Sequence, residues 1–164
     1  MKQSDAAEAA KQGSPTPADV VVRGKASGFL QEIVSGPHHM HADEPASVGG
    51  TDAAPTPYDF LLAGLGSCTS MTVGLYARRK QWPLEEVTVS LRHSRIHSED
   101  CAECETKVGM LDRIEVEVEL HGALTPGQHA RLMEIAGKCP VHRTLKSEIV
   151  IDLRAARGQA PAGA

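Results

Sequence analysis

The sequence predicts an α+β fold, on three observations. One 24-residue segment, Pro57–Lys80, is apolar on nearly every side at helical spacing. Two other segments read as half-buried antiparallel strands: Glu86–His97, which alternates apolar and polar residues at first, and Ile114–Leu120, which alternates strictly. In chain order the elements read as strands, the long helix, strands, a helix and a final strand, which is an α+β order.

The 164 residues suit one domain with a real core. Residues 1–17, rich in Ala, Ser, Pro and Gln, read as a disordered tail; 18–153 read as the folded domain, and 154–164 as a second tail. Aromatic residues supply only 3% of the chain, so the core falls to Val, Leu, Ile, Ala and Met. The formal charge is −4 and no Lys/Arg run stands out, which gives no electrostatic footprint for nucleic acid. The polar N-terminus has no apolar h-region, and no apolar run is read as reaching the ~20 residues that span a bilayer. The expectation is a cytoplasmic protein with no membrane partner.

In chain order, Ala18–Arg23 and Phe29–Val34 read as a hairpin around Gly24–Gly28, with a third short strand near His39–Ala42. Asp43–Pro57 is Pro/Gly-rich loop. Thr56 and Pro57 suit the N-cap and first position of the long helix, and Arg78, Arg79 and Lys80 suit its C-terminus. Phe60, Leu61, Leu62, Leu65, Cys68, Met71, Thr72, Leu75 and Tyr76 recur along it at three- and four-residue steps. Ser98–Met110 is a polar loop between the two alternating strands. Thr125-Pro126 opens a second helix running to about Lys138, a short helix follows from Pro140, and Glu148–Leu153 is expected as a closing strand.

Four cysteines, Cys68, Cys101, Cys104 and Cys139, need an explanation. In a reducing compartment they point to catalysis or metal binding more than to structural disulfides, although a free Cys is also a common small core residue. Cys139 precedes Pro140, at the N-cap of the short helix, with His142 and Arg143 in the next turn. Free N–H groups and the positive end of a helix dipole favour a thiolate. Cys68 sits on the apolar side of the long helix, where a thiol by itself reads as structural. The pair in Cys101-Ala-Glu-Cys104, close to His93 and His97, has zinc-type ligands, but there is one CxxC and no finger spacing. A redox relay and an idle polar loop are the other readings. His38, His39 and His41 read as a surface or interface cluster.

The stretch GGTDAAPTPYDFLLAGLGSCTSMTVGLYARRKQWPLEEVTVSLRHSR, with GKCPVHRTL near the end, resembles the OsmC/Ohr superfamily, and the similarity runs from about Ala18 to Leu153. The resemblance implies an intertwined homodimer in which a strongly curved antiparallel sheet surrounds long central helices. It implies a thiol-dependent peroxidase of oxidative or osmotic stress, reducing organic hydroperoxides with electrons from an unidentified dithiol. No cofactor or metal is implied. Cys68 takes the place of the peroxidatic thiol and Cys139 that of the resolving one, although the local field alone favours Cys139. Classical members carry Glu just after the proline that opens the central helix. Here that position is Tyr58, so any carboxylate role passes to Asp59. The family's hairpin Arg falls in a region that offers Arg23 and Lys25. The alternative from another class is a small-ligand- or metal-binding protein without efficient peroxidase activity, which Tyr58 and the extra CxxC favour.

Overall fold

The computed structural model describes residues 18–100 and 108–156. The expected N-terminal tail, Cys101, Cys104 and most of the expected C-terminal tail lie outside them. The fold is α+β with antiparallel sheets and one long helix. By internal contacts the chain divides into two compact units, Met1–Pro57 and Tyr58–Ala164.

In the first unit, β1 (Val21–Gly24), β2 (Gln31–Ser35) and β3 (His38–Ala42) form an antiparallel sheet in the order β1-β2-β3. The β2–β3 register closes on Ser35 opposite His38, so the loop is Gly36-Pro37 alone. Gly36 has φ 54°, the positive value that the first central position of such a two-residue hairpin demands. The expected loop after β3 is ordered by a carboxylate. Buried Asp43 accepts at Oδ2 from the Thr51 hydroxyl, the Thr51 N–H (3.0 Å) and the Ala53 N–H (3.1 Å). Its own N–H donates to the Pro55 carbonyl. A Cβ on Gly50 would lie 1.8 Å from the Glu44 carbonyl oxygen, so only glycine fits against this turn.

Asp43 makes the loop acid-sensitive. The Thr51 hydroxyl, helped by the Ala53, Glu44 and Thr51 amides and opposed by desolvation, lowers its pKa from 3.8 to about 2. A carboxyl depressed on folding stabilises the native state above its unfolded pKa, and that stabilisation disappears as pH falls through the folded value. The expected result is a loss of stability between about pH 4 and pH 2 in denaturant melts, and a shallower loss for Asp43→Asn. Parallel acid profiles for parent and variant would remove Asp43 from this role.

In the second unit, α1 (Pro57–Lys80) lies against a two-stranded sheet of β4 (Leu84–His97) and β5 (Met110–Gly122). Leu65, Thr69, Val73 and Ala77, four residues apart, form its buried line. Val73 and Ala77 join Leu132, Ile135 and Ala136 of α2 (Pro126–Ala136) in the core, flanked by Val87, Val118 and Leu120 of the sheet. A Cβ on Gly66 would come 2.7 Å from Leu91 Cδ1, so the glycine sets the approach of α1 to β4. α1 is long and apolar enough by length and composition to cross a membrane, which corrects the expectation that no run reaches that length. Val73 and Ala77 of its buried line pack in the protein core.

β5 begins at Met110, four residues earlier than the alternation predicts. In the added register Asp112 lies opposite Arg95 and bonds diagonally to His93 of β4 at 2.9 Å, and such cross-strand polar contacts carry polar residues into a ladder. α2 is capped as expected: Thr125 accepts from the Gln128 N–H, and the Gln128 side chain accepts from the Thr125 N–H. It ends at Ala136, two residues short of Lys138, at Gly137. α3 (Pro140–Leu145) follows directly.

The expected closing strand Glu148–Leu153 is absent. These residues have no regular structure and pair with no strand among the described residues, and Val150 and Leu153 are 81% and 96% exposed. The run has the composition of a strand, but a strand also needs a free edge to pair with, and composition says nothing about that.

Candidate functional site

Cys139 lies at the junction of α2 and α3. Its extended backbone (φ −63°, ψ 148°) makes it the N-cap of α3, with Pro140 in the first turn. This is where the Cys-Pro pair places it in sequence. Its Sγ accepts from the backbone N–H of His142 at 3.3 Å. The side chain has no exposed surface.

The other polar atom at Cys139 Sγ comes from α1. Thr69 Oγ1 is 3.4 Å from Cys139 Sγ and 2.9 Å from the Leu65 carbonyl oxygen. Thr69 is the chain neighbour of Cys68, so their Cα atoms are about 3.8 Å apart. The fold therefore closes 70 residues of chain to bring the Cys68 segment against Cys139. Both cysteines are free thiols; Cys68 is half-buried and Cys139 buried.

Beside this junction is a pocket of about 240 Å³. Leu65, Ile114, Val116 and Leu145 supply apolar walls, and Asp112, His142 and Lys146 supply polar groups. Asp112 reaches out of it to the Nε2 of His93 at 2.9 Å. The His93 ring stacks on Tyr58, with centroids 4.4 Å apart. Tyr58 is thus engaged with an aromatic ring in the first turn of α1, though still 52% exposed. Asp59 shares that first turn.

The two basic candidates lie in the first unit. Arg23 sits on β1 opposite Glu32, with a loose 3.9 Å ion pair between exposed side chains, and Lys25 lies in the β1–β2 turn. Both line a pocket of about 510 Å³ with Ser27, Leu30, Glu32 and His41. His38, His39 and His41 all lie on β3, and His39 Nδ1 is 3.6 Å from Glu32. Among the described residues no three His, Cys, Asp or Glu side chains converge to hold a metal.

Residues 50–154, well over half of the chain, match the family model of the OsmC-like proteins. The chain belongs to the OsmC/Ohr superfamily. Solved structures agree on the fold. An OsmC-like protein of Mycoplasma pneumoniae superposes with TM-score 0.61 at 19% identity, covering 81% of this chain and 89% of its own. An organic hydroperoxide resistance protein OsmC of Legionella pneumophila gives 0.57 at 18%, covering 82% and 92%. The organic hydroperoxide resistance protein OhrB of Bacillus subtilis gives 0.54 at 19%, covering 81% and 93%. No match is found among curated proteins.

Sequence reasoning missed Thr69, Asp112, Leu145 and Lys146. Thr69 was legible in principle, because stepping four residues from Leu65 through Val73 to Ala77 puts it on the buried line. The pocket residues of β5 and α3 were not, because their approach to Leu65 is a product of the fold.

Proposed function

We propose that this OsmC/Ohr-type protein is a thiol-dependent peroxidase that reduces organic hydroperoxides, with Cys68 as the attacking thiol and Cys139 as the resolving one. The observation that carries the reading is the contact of Thr69, next to Cys68, with the Cys139 sulfur. A disulfide needs Cα atoms within roughly 7 Å. The proximity of the two segments supports that geometry, and the hydroperoxide resistance proteins among its structural relatives support the substrate class.

The chemistry runs in two steps. The Cys68 thiolate attacks one peroxide oxygen; an S–O bond forms, the O–O bond breaks, and the alcohol leaves with a proton. Cys68 is then a sulfenic acid. The Cys139 thiolate attacks its sulfur, an S–S bond forms and water departs. An external dithiol returns two electrons. The apolar walls of Leu65, Ile114, Val116 and Leu145 favour an alkyl group over a bare hydrogen peroxide. Asp59, Arg23 and Lys25 remain the candidates to hold the thiolate and polarise the leaving oxygen, as the family pattern implies. The protein works in the cytoplasm as a homodimer. An apolar stripe on α1, Leu61, Met71 and Leu75, is exposed in the single chain and runs past Cys68, which supports a second copy completing the surroundings of that thiol.

The test is consumption of cumene hydroperoxide by the purified protein with a dithiol reductant. We expect reduction well above the rate of the reductant alone, and faster than reduction of hydrogen peroxide. No consumption, together with saturable uptake of a small apolar ligand, would instead favour the binding-protein alternative.

A further inference from the structure

Thr69 has two hydrogen-bond partners in reach and only one proton to give. Its Oγ1 is 2.9 Å from the Leu65 carbonyl oxygen and 3.4 Å from Cys139 Sγ, and it is 2% exposed, so no bulk water competes. A hydroxyl donates once and accepts twice. With Cys139 as a thiol, its S–H donates to Thr69 Oγ1 and the Thr69 hydroxyl donates to Leu65. With Cys139 as a thiolate, the sulfur has no proton, and the Thr69 O–H turns to donate to it. The Leu65 carbonyl then keeps its helical bond from the Thr69 N–H. The change is a rotation about one C–O bond, and no heavy atom moves.

We propose that Thr69 is a positioning residue for Cys139: its hydroxyl reverses direction as the thiol loses its proton, supplying the buried sulfur with an acceptor in one state and a donor in the other. The His142 N–H donates to the sulfur in both states and bonds the anion more strongly, but it cannot accept the thiol proton, which Thr69 Oγ1 can. A buried anion without donors is costly, and a bond to a charged group is worth more than one to a neutral group. Thr69 thereby offers a buried Cys139 thiolate a second donor beside the His142 N–H. This rests on the reading of Cys139 as the resolving thiol, but not on the nature of the oxidant.

The experiment therefore uses no peroxide. A Cys101→Ser/Cys104→Ser protein, with Cys68 and Cys139 as its only thiols, is treated with one equivalent of 5,5′-dithiobis(2-nitrobenzoate). Cys68 takes up the reagent as a mixed disulfide and releases one thionitrobenzoate. The Cys139 thiolate then attacks the Cys68 sulfur, an S–S bond forms between them, and a second thionitrobenzoate leaves. The second release reports the action of Cys139 alone. Thr69→Val is expected to slow it by about tenfold at pH 7, the factor that one charge-assisted bond commands. The deficit should narrow as pH rises, because the thiolate then forms without help and a thiolate lacking a donor is the more nucleophilic. Thr69→Ser should restore the parent rate. Ring closure at the parent rate in Thr69→Val, a deficit independent of pH, a Thr69→Ser protein as slow as Thr69→Val, or a parent that never releases the second equivalent would each overturn the proposal. If the parent closes the ring yet fails to consume hydroperoxide, the peroxidase reading fails while the role of Thr69 stands.

Discussion

Cys68→Ser is expected to abolish hydroperoxide reduction, and Cys139→Ser to consume one equivalent of peroxide and then stop. The two losses differ because the two sulfurs have different tasks in the proposed cycle. Serine at 68 keeps the shape of the half-buried thiol but is not ionised near neutral pH, so attack on the O–O bond does not begin. Serine at 139 leaves the attack intact and blocks the exit, so the sulfenic acid persists and dimedone traps it. Quenched-flow measurement of peroxide, with mass spectrometry of residue 68, separates these outcomes. The expected fall for Cys68→Ser is at least about 10³-fold in turnover, as for loss of a covalent nucleophile. A Cys68→Ser protein that still turns over while Cys139→Ser is dead would exchange the two roles. That outcome would vindicate the local field of the α3 N-cap over the family pattern.

How much of this was legible in the sequence depended on whether the signal was local. The helix Pro57–Lys80 was read with correct bounds because Thr56-Pro57 opens it, a basic triplet closes it, and the apolar steps between are unbroken. The α2 cap and the Cys139 N-cap were equally local, each fixed by a residue followed by proline. Where pairing across the chain decided the outcome, the reading drifted. β5 starts four residues early, in a stretch where Asp112 reaches His93 of β4 at 2.9 Å. Ile149-Val150-Ile151 has ample strand propensity and no strand beside it among the described residues. The candidate site divides in the same way. Cys139 was found from its own neighbours in sequence, whereas Thr69 and Asp112 acquire their significance only when α1, β5 and α3 meet.

Met71→Glu is expected to convert the protein from dimer to monomer. On α1, the buried line Leu65–Thr69–Val73–Ala77 leaves a second line on another face: Leu61, Gly64, Cys68, Met71 and Leu75. Steps of three and four residues keep these positions on one side of a helix. Met71 is 71% exposed and Leu75 and Leu61 are also exposed, so a single chain leaves a continuous apolar stripe in water, with Gly64 allowing close approach. Such a stripe on a helix that already buries its opposite side calls for a second apolar surface. In a twofold dimer each substitution enters the interface twice. A carboxylate there loses its hydration and gains no partner, a cost of roughly 3–5 kcal/mol per buried unpaired charge. Two copies weaken association by at least about 10⁴-fold, since each 1.4 kcal/mol is tenfold. Sedimentation velocity at micromolar concentration reads the result directly: a dimeric parent, a monomeric Met71→Glu, and a dimeric Met71→Leu that shows the position tolerates change. A folded parent that sediments as a monomer, or a Met71→Glu protein as dimeric as the parent, would put the dimer contact somewhere other than this stripe.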